Sequence, residues 1–352
     1  MDFEKSEQAR IDPEIAAAEA GLRYISDEDT PGISRKARGK GFSYYAPDGS
    51  LVRDAATLAR IRALAIPPAW TSVWISPFAD AHLAATGRDA KGRKQYRYNS
   101  EFLQIRGAAK YEHLVSFAQA LPKIRSAVLQ HMALRGMPRE KIIATVVALL
   151  EATLIRIGNE DYAKQNGSFG LTTLRNRHVQ VAGSELRFLF HGKSGKTWRL
   201  SLNNRRVAKV IRACQELPGQ NLFQYEDGEG ALQKISSGDV NEYLREVTGR
   251  DVTAKDFRTW AGTVLAASAL HALRSEPPLK KHVRAALEQV AERLGNTITI
   301  CRKCYVHPEI IAAYETGDLA LNVRETKDND ETGLDAVERA VLRFLKSRRK
   351  DG

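Results

Sequence analysis

One tyrosine and three cationic side chains are the residues of this chain that could carry chemistry together. Tyr305 ends an amphipathic segment and lies among basic residues. Arg156 follows a long apolar pattern, Lys193 lies in a glycine-bracketed turn, and Arg258 is near a predicted helix start. Each of them alone is typical of ordinary packing or of a solvated surface. As a set, a phenol nucleophile, two guanidinium groups and an ammonium group predict phosphoryl transfer.

The elements that must position these residues change character near residue 100. Before it, short β-like segments surround the sequence PDG at residues 47–49, which predicts a tight turn. The alternation of residues 95–98 places Tyr96 and Tyr98 on one face of a strand and Arg97 on the other. After residue 100 the apolar period is helical, except for a β-rich interval with predicted strands at 178–181, 185–190 and 197–200.

These patterns predict an α+β fold class with three segments. Residues 1–20 are a polar, loosely attached extension, and residues 21–105 form a small antiparallel β-rich domain. Residues 106–352 form a larger, mainly α catalytic domain that contains a short β-hairpin or sheet.

Helix boundaries are predicted from apolar periodicity and capping residues. A short helix at 57–64 has Thr57 as its cap, and a long apolar helix at 139–157 is stopped by Gly158 and Asn159. Thr253 and Asp256 form a near capping box at the start of the helix that carries Arg258. The other predicted helices are at 111–120, 123–134, 204–217, 237–248, 279–294, 306–314 and 334–344.

Charge and cysteine content restrict the partners and the compartment. The 352 residues carry a net charge of +12, and the sequence pI is about 9.6, which favours a polyanionic partner such as a nucleic acid. The three cysteines do not suggest a disulfide framework. The first residues show no apolar signal segment, and the longest apolar stretch, 142–155, is too short to span a bilayer. We therefore expect a cytoplasmic protein without a membrane partner.

Two short motifs resemble a metal site and a nucleotide-binding loop, but neither has the residues that such a site requires. Cys301 and Cys304 form a CxxC, but no second ligand pair lies nearby in sequence, so no metal is predicted. The sequence GKS at 192–194 suggests a phosphate loop, yet the position that requires glycine is Arg187. We expect no cofactor.

The order of the remaining motifs resembles type IB DNA topoisomerases of the compact poxvirus-like and bacterial kind. The first catalytic box of that family resembles IRIGNEDY at 155–162 with GLTTL at 170–174, and its lysine hairpin resembles FHGK at 190–193. Its second arginine box is similar to KDFRTW at 255–260, and its last box is similar to GN at 295–296 and CY at 304–305. Its DNA-contacting strand resembles GRKQYRY at 92–98. The likeness covers nearly the whole chain after residue 22.

This resemblance implies a mechanism and the residues that carry it. Tyr305 attacks a phosphodiester of duplex DNA, the 5′-oxygen leaves, and a 3′-phosphotyrosyl intermediate forms. Arg156 and Arg258 bind the non-bridging oxygens and Lys193 is the general acid. Religation reverses the path without ATP, and rotation about the nick relaxes supercoils. The sequence does not identify a general base for Tyr305.

Asn296 departs from the histidine that many members have at its position. An amide donates a hydrogen bond but does not shuttle protons near neutral pH. We therefore expect Asn296 to bind a phosphate oxygen rather than to perform acid–base work.

The resemblance also implies a C-shaped clamp of the two domains around double-stranded DNA, by a monomer associated with the nucleoid. The residues expected to contact DNA are Gln95, Tyr96, Tyr98, Arg93, Tyr162 and Lys255. Binding should weaken steeply with salt because counterions are released.

Two alternatives remain open at the level of sequence. Tyrosine recombinases share the Arg, Lys, Arg and Tyr chemistry, but they usually carry histidine three residues before the second arginine, where this chain has Lys255. Their N-terminal part is helical, whereas residues 21–105 here are predicted to be β-rich. The other alternative is a non-catalytic DNA-binding protein, which would form no covalent adduct with DNA.

Overall fold

Two compact units divide the chain, Met1–Glu112 and His113–Gly352. The computed structural model describes residues 12–39, 41–273, 277, 279–324 and 333–348. The fold is α+β, with an antiparallel sheet near the N-terminus and a mainly helical remainder, which confirms the predicted class. Each unit has its own buried apolar core.

A five-stranded antiparallel sheet forms the centre of the first unit. The strand order is β2-β1-β3-β4-β5, where β1 is Ile33–Arg38, β2 is Gly41–Tyr45, β3 is Thr71–Ile75, β4 is Leu83–Arg88 and β5 is Lys94–Tyr98. Among the described residues before Ser100, this unit contains the helices α1 (Pro13–Glu19) and α2 (Ala55–Ala63). Ile61 of α2 is buried with Val73, Ile75 and Ala85 of the sheet, since alternate strand residues face the core.

Three details of the first unit differ from the sequence-based expectations. Strand β1 was not predicted, although it pairs along its length with β2. Helix α2 is capped by Asp54, whose carboxylate accepts a hydrogen bond from the Thr57 backbone N–H, so Thr57 is not the cap. Residues 1–11 of the expected extension lie outside the described residues. Helix α1 is packed rather than loosely attached, because Ala16 and Ala17 are fully buried beside Phe102.

Helices dominate the second unit. The first of them, α3, begins in the first unit and continues into the second. They are α3 (Ser100–Met132), α4 (Arg139–Thr153), α5 (Glu160–Asn166), α6 (Arg205–Glu216), α7 (Ser237–Thr248), α8 (Ala254–Ala272), α9 (Lys280–Leu294), α10 (Ile298–Cys304), α11 (Pro308–Thr316) and α12 (Ala336–Arg348). An antiparallel sheet contains β6 (Val179–Ala182), β7 (Glu185–His191) and β8 (Thr197–Asn203) in that order. It confirms the predicted β interval. A small hairpin joins β9 (Gln224–Glu226) to β10 (Leu232–Lys234).

Tertiary packing changed several predicted boundaries in the second unit. The helices expected at 111–120 and 123–134 are one helix that continues through Pro122, where Leu121 and Ile124 are buried in the core. Helix α4 ends at Thr153 instead of 157, because Leu154 adopts a left-handed conformation with φ of 57°. The elements α5, α10 and the β9–β10 hairpin were not predicted. Across the described residues, no helix is long and apolar enough to cross a membrane.

Candidate active site

Helix α8 presents Arg258 to the interior of the second unit. Its first turn is fixed by the predicted capping box, in which the carboxylate of Asp256 accepts a hydrogen bond of 2.9 Å from the Thr253 backbone N–H. Phe257 and Trp260 are buried on either side, and Arg258 itself is only 3% exposed. The sequence identified this arginine as a candidate but did not predict its burial.

The guanidinium of Arg258 holds two chain segments through their backbone carbonyl groups. One terminal nitrogen donates to the carbonyl of Leu294 at 2.8 Å, and the other donates to the carbonyl of Leu154. Leu154 lies two residues before Arg156, and Leu294 lies two residues before Asn296. A single buried side chain therefore positions the backbone beside two other candidate residues. The Nε atom of Arg258 is buried and has no hydrogen-bond partner among the described residues.

Arg156 lies in an extended segment rather than at the end of a helix. The segment turns away from α4 at the left-handed Leu154, and Leu171 N–H donates to the Arg156 carbonyl at 2.9 Å. This backbone is thereby tied to the 3₁₀ turn Leu171–Thr173. The guanidinium of Arg156 donates to Oδ1 of Asn296. The two segments held by Arg258 therefore also contact each other through their candidate side chains.

Asn296 follows the left-handed C-cap of α9 at Gly295, whose φ is 63°. Its backbone N–H donates to the carbonyl of Ala291 at 3.0 Å, and this hydrogen bond holds the turn against the helix end. Since Oδ1 accepts from Arg156, the amide is oriented with Nδ2 on the other side. Within the described chain, this Nδ2 is buried and lacks a hydrogen-bond partner. A buried donor of this kind is suited to an incoming oxygen atom.

Tyr305 forms the C-cap of α10 directly above Arg258. The guanidinium carbon lies 5.1 Å from the centre of the phenol ring. Two hydrogen bonds fix the Tyr305 backbone. Its N–H donates to the backbone carbonyl of Cys301 at 3.0 Å, and its carbonyl accepts from Thr263 Oγ1 at 3.4 Å. Gly262 allows this approach, because a Cβ there would lie 2.6 Å from the Tyr305 carbonyl oxygen. The ring is half-buried rather than sealed in an apolar interior.

The electrostatic field at this place is strongly positive. Burial lowers the pKa of the Arg258 guanidinium from its usual value, the neighbouring Tyr305 opposes that change, and the positive charge of Arg156 adds to it. Burial also raises the pKa of the Cys301 thiol to about 11, although Arg258 acts in the opposite direction. Two cations close together, beside buried donors that lack a partner in the described part of the chain, create a site for an anion.

Lys193 lies at the exposed tip of the β7–β8 hairpin, in the 3₁₀ turn Lys193–Gly195. The turn is closed by the Gly192 N–H, which donates to the backbone carbonyl of Lys196 at 2.8 Å. Hydrogen bonds and the ring contact described above join Arg156, Arg258, Asn296 and Tyr305. Lys193 is not part of these contacts, and its position is set by the β7–β8 hairpin.

The predicted DNA-contacting residues of the first unit lie on β5 and on the turn that precedes it. Tyr96 and Tyr98 stack with ring centres 5.9 Å apart and an angle of 8°, which confirms that they share a strand face. Asp89 organises the turn, because its carboxylate accepts from Arg93 at 2.8 Å and from Gln95 at 3.2 Å. The same hydrogen bond from Arg93 holds the pKa of Asp89 below its usual value.

The two predicted DNA-contacting residues of the second unit lie on different helices. Lys255 is half-buried in the first turn of α8, one turn before Arg258. Tyr162 belongs to α5, but its side chain lies outside the described residues.

Sequence reasoning missed the residues that hold the site together through backbone contacts. Gly262 carried a usable signal, since an isolated glycine within a helical pattern often marks a close approach. Leu154 carried none, because a left-handed leucine is uncommon and its sequence context reads as continuing helix. Thr263 was also missed, although its hydroxyl binds the Tyr305 carbonyl.

Comparisons with known proteins identify the class to which this arrangement belongs. Residues 99–330 match the sequence model described as eukaryotic DNA topoisomerase I, catalytic core, and residues 41–89 match that of bacterial DNA topoisomerase IB, N-terminal domain. The chain is 31% identical to DNA topoisomerase 1B of Acanthamoeba polyphaga mimivirus over 340 residues, which cover 94% of this chain and 99% of the relative. It is 23% identical to DNA topoisomerase 1B of Vaccinia virus (strain Copenhagen) over 236 residues, which cover 65% of this chain and 71% of the relative.

The fold and the site define an enzyme in which a tyrosine lies beside cations that can bind a phosphoryl group. The matches to both family models and to a relative over almost its full length then give the family. This chain belongs to the type IB DNA topoisomerases.

Proposed function

We propose that this enzyme relaxes supercoiled double-stranded DNA through a transient single-strand break and a 3′-phosphotyrosyl intermediate. The observation that carries the proposal is the position of the Tyr305 ring over a buried guanidinium. Beside it lie Arg258 Nε and Asn296 Nδ2, two donors that have no hydrogen-bond partner among the residues that the structure describes. These two N–H groups can donate hydrogen bonds to the oxygens of one phosphodiester while the phenol approaches phosphorus. The relative from mimivirus is a DNA topoisomerase 1B, which supports DNA as the substrate here.

Cleavage is an exchange of one ester for another. The phenol of Tyr305 releases its proton to water as its oxygen bonds to phosphorus. The bond from phosphorus to the 5′-oxygen breaks, and Lys193 supplies the proton that the leaving oxygen needs. Negative charge increases on the non-bridging oxygens in the transition state. Arg156, Arg258 and Asn296 stabilise that charge without reorganising, because backbone contacts already hold their segments in place.

Religation follows the same path in reverse. The free 5′-hydroxyl attacks the phosphotyrosyl phosphorus, Lys193 takes back its proton, and Tyr305 leaves. Since the phosphotyrosyl ester conserves the energy of the broken bond, the cycle needs no ATP. While the break persists, torque in the DNA turns the free end and lowers the linking difference. We propose that a monomer in the cytoplasm, associated with the nucleoid, performs this cycle.

The test is relaxation of supercoiled plasmid with the purified protein in the absence of ATP and in the presence of EDTA. We expect a ladder of topoisomers, together with a covalent protein–DNA adduct when the reaction is stopped with SDS. Loss of relaxation upon addition of EDTA would contradict the mechanism.

Tyr305→Phe is the variant that separates chemistry from binding. It removes only the hydroxyl and keeps the ring that packs over Arg258, so we expect normal folding, nearly unchanged DNA affinity and no adduct. Relaxation that persists in this variant would exclude Tyr305 as the nucleophile. Exchange of strands between two DNA sites, which we do not expect, would instead support a tyrosine recombinase.

A further inference from the structure

Trp198 of β8 lies between two turns that the proposed mechanism uses. Its side chain is buried, with 9% exposed, and it pairs across the hairpin with Phe190 of β7. The two rings are parallel, with centres 6.2 Å apart, and Lys196 Nζ lies 6.0 Å from the indole centre. Neighbours on several sides therefore fix the indole in one place.

The two edges of this indole touch two glycines. A Cβ on Gly192 would lie 2.7 Å from both Cδ1 and Nε1 of Trp198, at its five-membered ring. A Cβ on Gly295 would lie 2.7 Å from Cζ2, at its six-membered ring. Both positions thus need glycine because the ring fills the space that a side chain would occupy. The indole spans the distance between the two backbone turns.

Each of these glycines directly precedes a residue to which the proposed mechanism assigns a task. Lys193 follows Gly192 at the tip of the hairpin, and Asn296 follows Gly295 at the end of α9. A rigid ring that touches both backbones sets the separation between the proton donor and the phosphate-binding amide.

We propose that Trp198 is a positioning residue that sets Lys193 relative to Asn296 and thereby to the reacting phosphate. This inference rests on the proposed function, since it gives Trp198 a task only if Lys193 protonates the leaving oxygen. Misplacement of a catalytic group by about 1 Å costs about 100-fold in rate. Trp198 therefore acts on the rate of cleavage at saturating DNA rather than on DNA affinity.

The leaving group distinguishes a misplaced proton donor from general damage. In a suicide substrate whose bridging 5′-oxygen is replaced by sulfur, the phosphorus–sulfur bond breaks and the thiolate departs without a proton. A defect in the placement of Lys193 is therefore relieved by sulfur. A defect in the placement of Asn296 or in folding is not relieved, because both substrates need the same stabilisation of the non-bridging oxygens.

The experiment measures single-turnover cleavage of matched oxygen and sulfur substrates by several variants. Gly192→Ala is the sharpest one, because Gly192 has an ordinary φ of −98° and the new Cβ is too close only to the indole, while the Lys196 carbonyl oxygen at 3.6 Å is an ordinary contact. The matched control is Gly228→Ala, in the loop of the β9–β10 hairpin, where a Cβ meets nothing within 4 Å. Trp198→Phe and Trp198→Ala then shorten or remove the spacer itself. Thermal unfolding is recorded for every variant.

We expect Trp198→Ala to slow cleavage of the oxygen substrate about 100-fold and Gly192→Ala to slow it at least about 10-fold. Sulfur should relieve most of the Gly192→Ala defect and part of the Trp198→Ala defect, while Gly228→Ala stays at the wild-type rate on both substrates. Trp198→Phe should lie between the wild type and Trp198→Ala.

Equal losses on the two substrates for folded Gly192→Ala and Trp198→Phe proteins would overturn the proposal, and so would wild-type rates. Failure of the proposed function gives a different result. In that case Lys193→Ala itself shows no relief by sulfur, or the wild-type protein forms no adduct with either substrate.

Discussion

At the scale of single residues, the amide of Asn296 has one atom already bound and one donor still available. Its oxygen accepts from Arg156, and its nitrogen is buried without a partner in the described structure. Leaving a buried donor unsatisfied costs about 1–3 kcal/mol, so such groups are uncommon unless a ligand completes them. A phosphate oxygen in the proposed complex would supply the missing acceptor.

Asn296→Asp tests whether Nδ2 donates to a phosphate oxygen, with almost no change in the shape of the side chain. The new carboxylate can still accept from Arg156, but it replaces the N–H donor with a second acceptor that repels a phosphate oxygen. We expect the single-turnover cleavage rate to fall by about 100-fold to 1,000-fold. Asn296→Ala is the control that removes both contacts without adding charge, and its loss should be smaller. Cleavage by the Asp variant at the wild-type rate would show that Nδ2 does not touch the phosphate.

The sequence could indicate which residues matter but not how they are held. The order of the motifs and their resemblance to the family selected Arg156, Arg258, Asn296 and Tyr305 as candidates, and contacts join these four in the structure. The bonds from Arg258 to the carbonyls of Leu154 and Leu294 were beyond prediction. Every residue has a carbonyl, and only the tertiary path of the chain decides which ones meet a guanidinium.

At the scale of elements, α8 does most of the positioning. Arg258 and Gly262 are four residues apart and therefore lie on the same helix face. The first is beneath the ring of Tyr305, and the second lies against its backbone carbonyl. Thr263, on the next position, binds the same carbonyl and accepts from the backbone N–H of His307. The helix thus fixes Tyr305, the proposed nucleophile, from two successive turns.

Gly262→Ala separates this positioning from helix stability. Alanine favours an isolated helix over glycine by about 1 kcal/mol, but its Cβ would lie 2.6 Å from the Tyr305 carbonyl oxygen and must displace it. We expect slower adduct formation, by about 100-fold for a shift near 1 Å. Gly107→Ala on α3 is the matched control, because a Cβ there meets nothing within 4 Å. That variant should keep full activity, and equal behaviour of the two variants would contradict close packing at Gly262.

Element types were predictable where the apolar period was long and regular, and boundaries were not. Helix α7 was predicted with its observed bounds, since its capping serine and terminal glycine are explicit in the sequence. Helix α4 was predicted four residues too long because its apolar pattern continues past the left-handed Leu154. Helix α3 was divided in two, although buried residues on both sides of Pro122 keep it continuous. In both cases packing overrode local preference.

At the scale of the whole molecule, net charge is the property most closely tied to the substrate. A charge of +12 over 352 residues gives a long-range attraction to any polyanion. The predicted contacts fall in both units, with Arg93 in the first and Lys255 in the second. Arg93 is an exposed side chain already oriented by Asp89. Affinity should therefore depend on salt through several separate phosphate contacts.

This dependence can be measured with the Tyr305→Phe protein, so that cleavage does not interfere, by the fluorescence anisotropy of a labelled duplex. With 6–10 phosphate contacts, affinity should fall about 10³-fold to 10⁵-fold between 50 and 200 mM salt. Arg93→Ala and Lys255→Ala should each remove one phosphate contact and reduce the magnitude of the slope of log affinity against log salt by about 1. Arg284→Ala is the control, because Arg284 is exposed, paired with Glu288 and outside the predicted contacts. A slope that stays flat in the parent protein would contradict binding along the phosphate backbone, because neutralised phosphates must release their counterions.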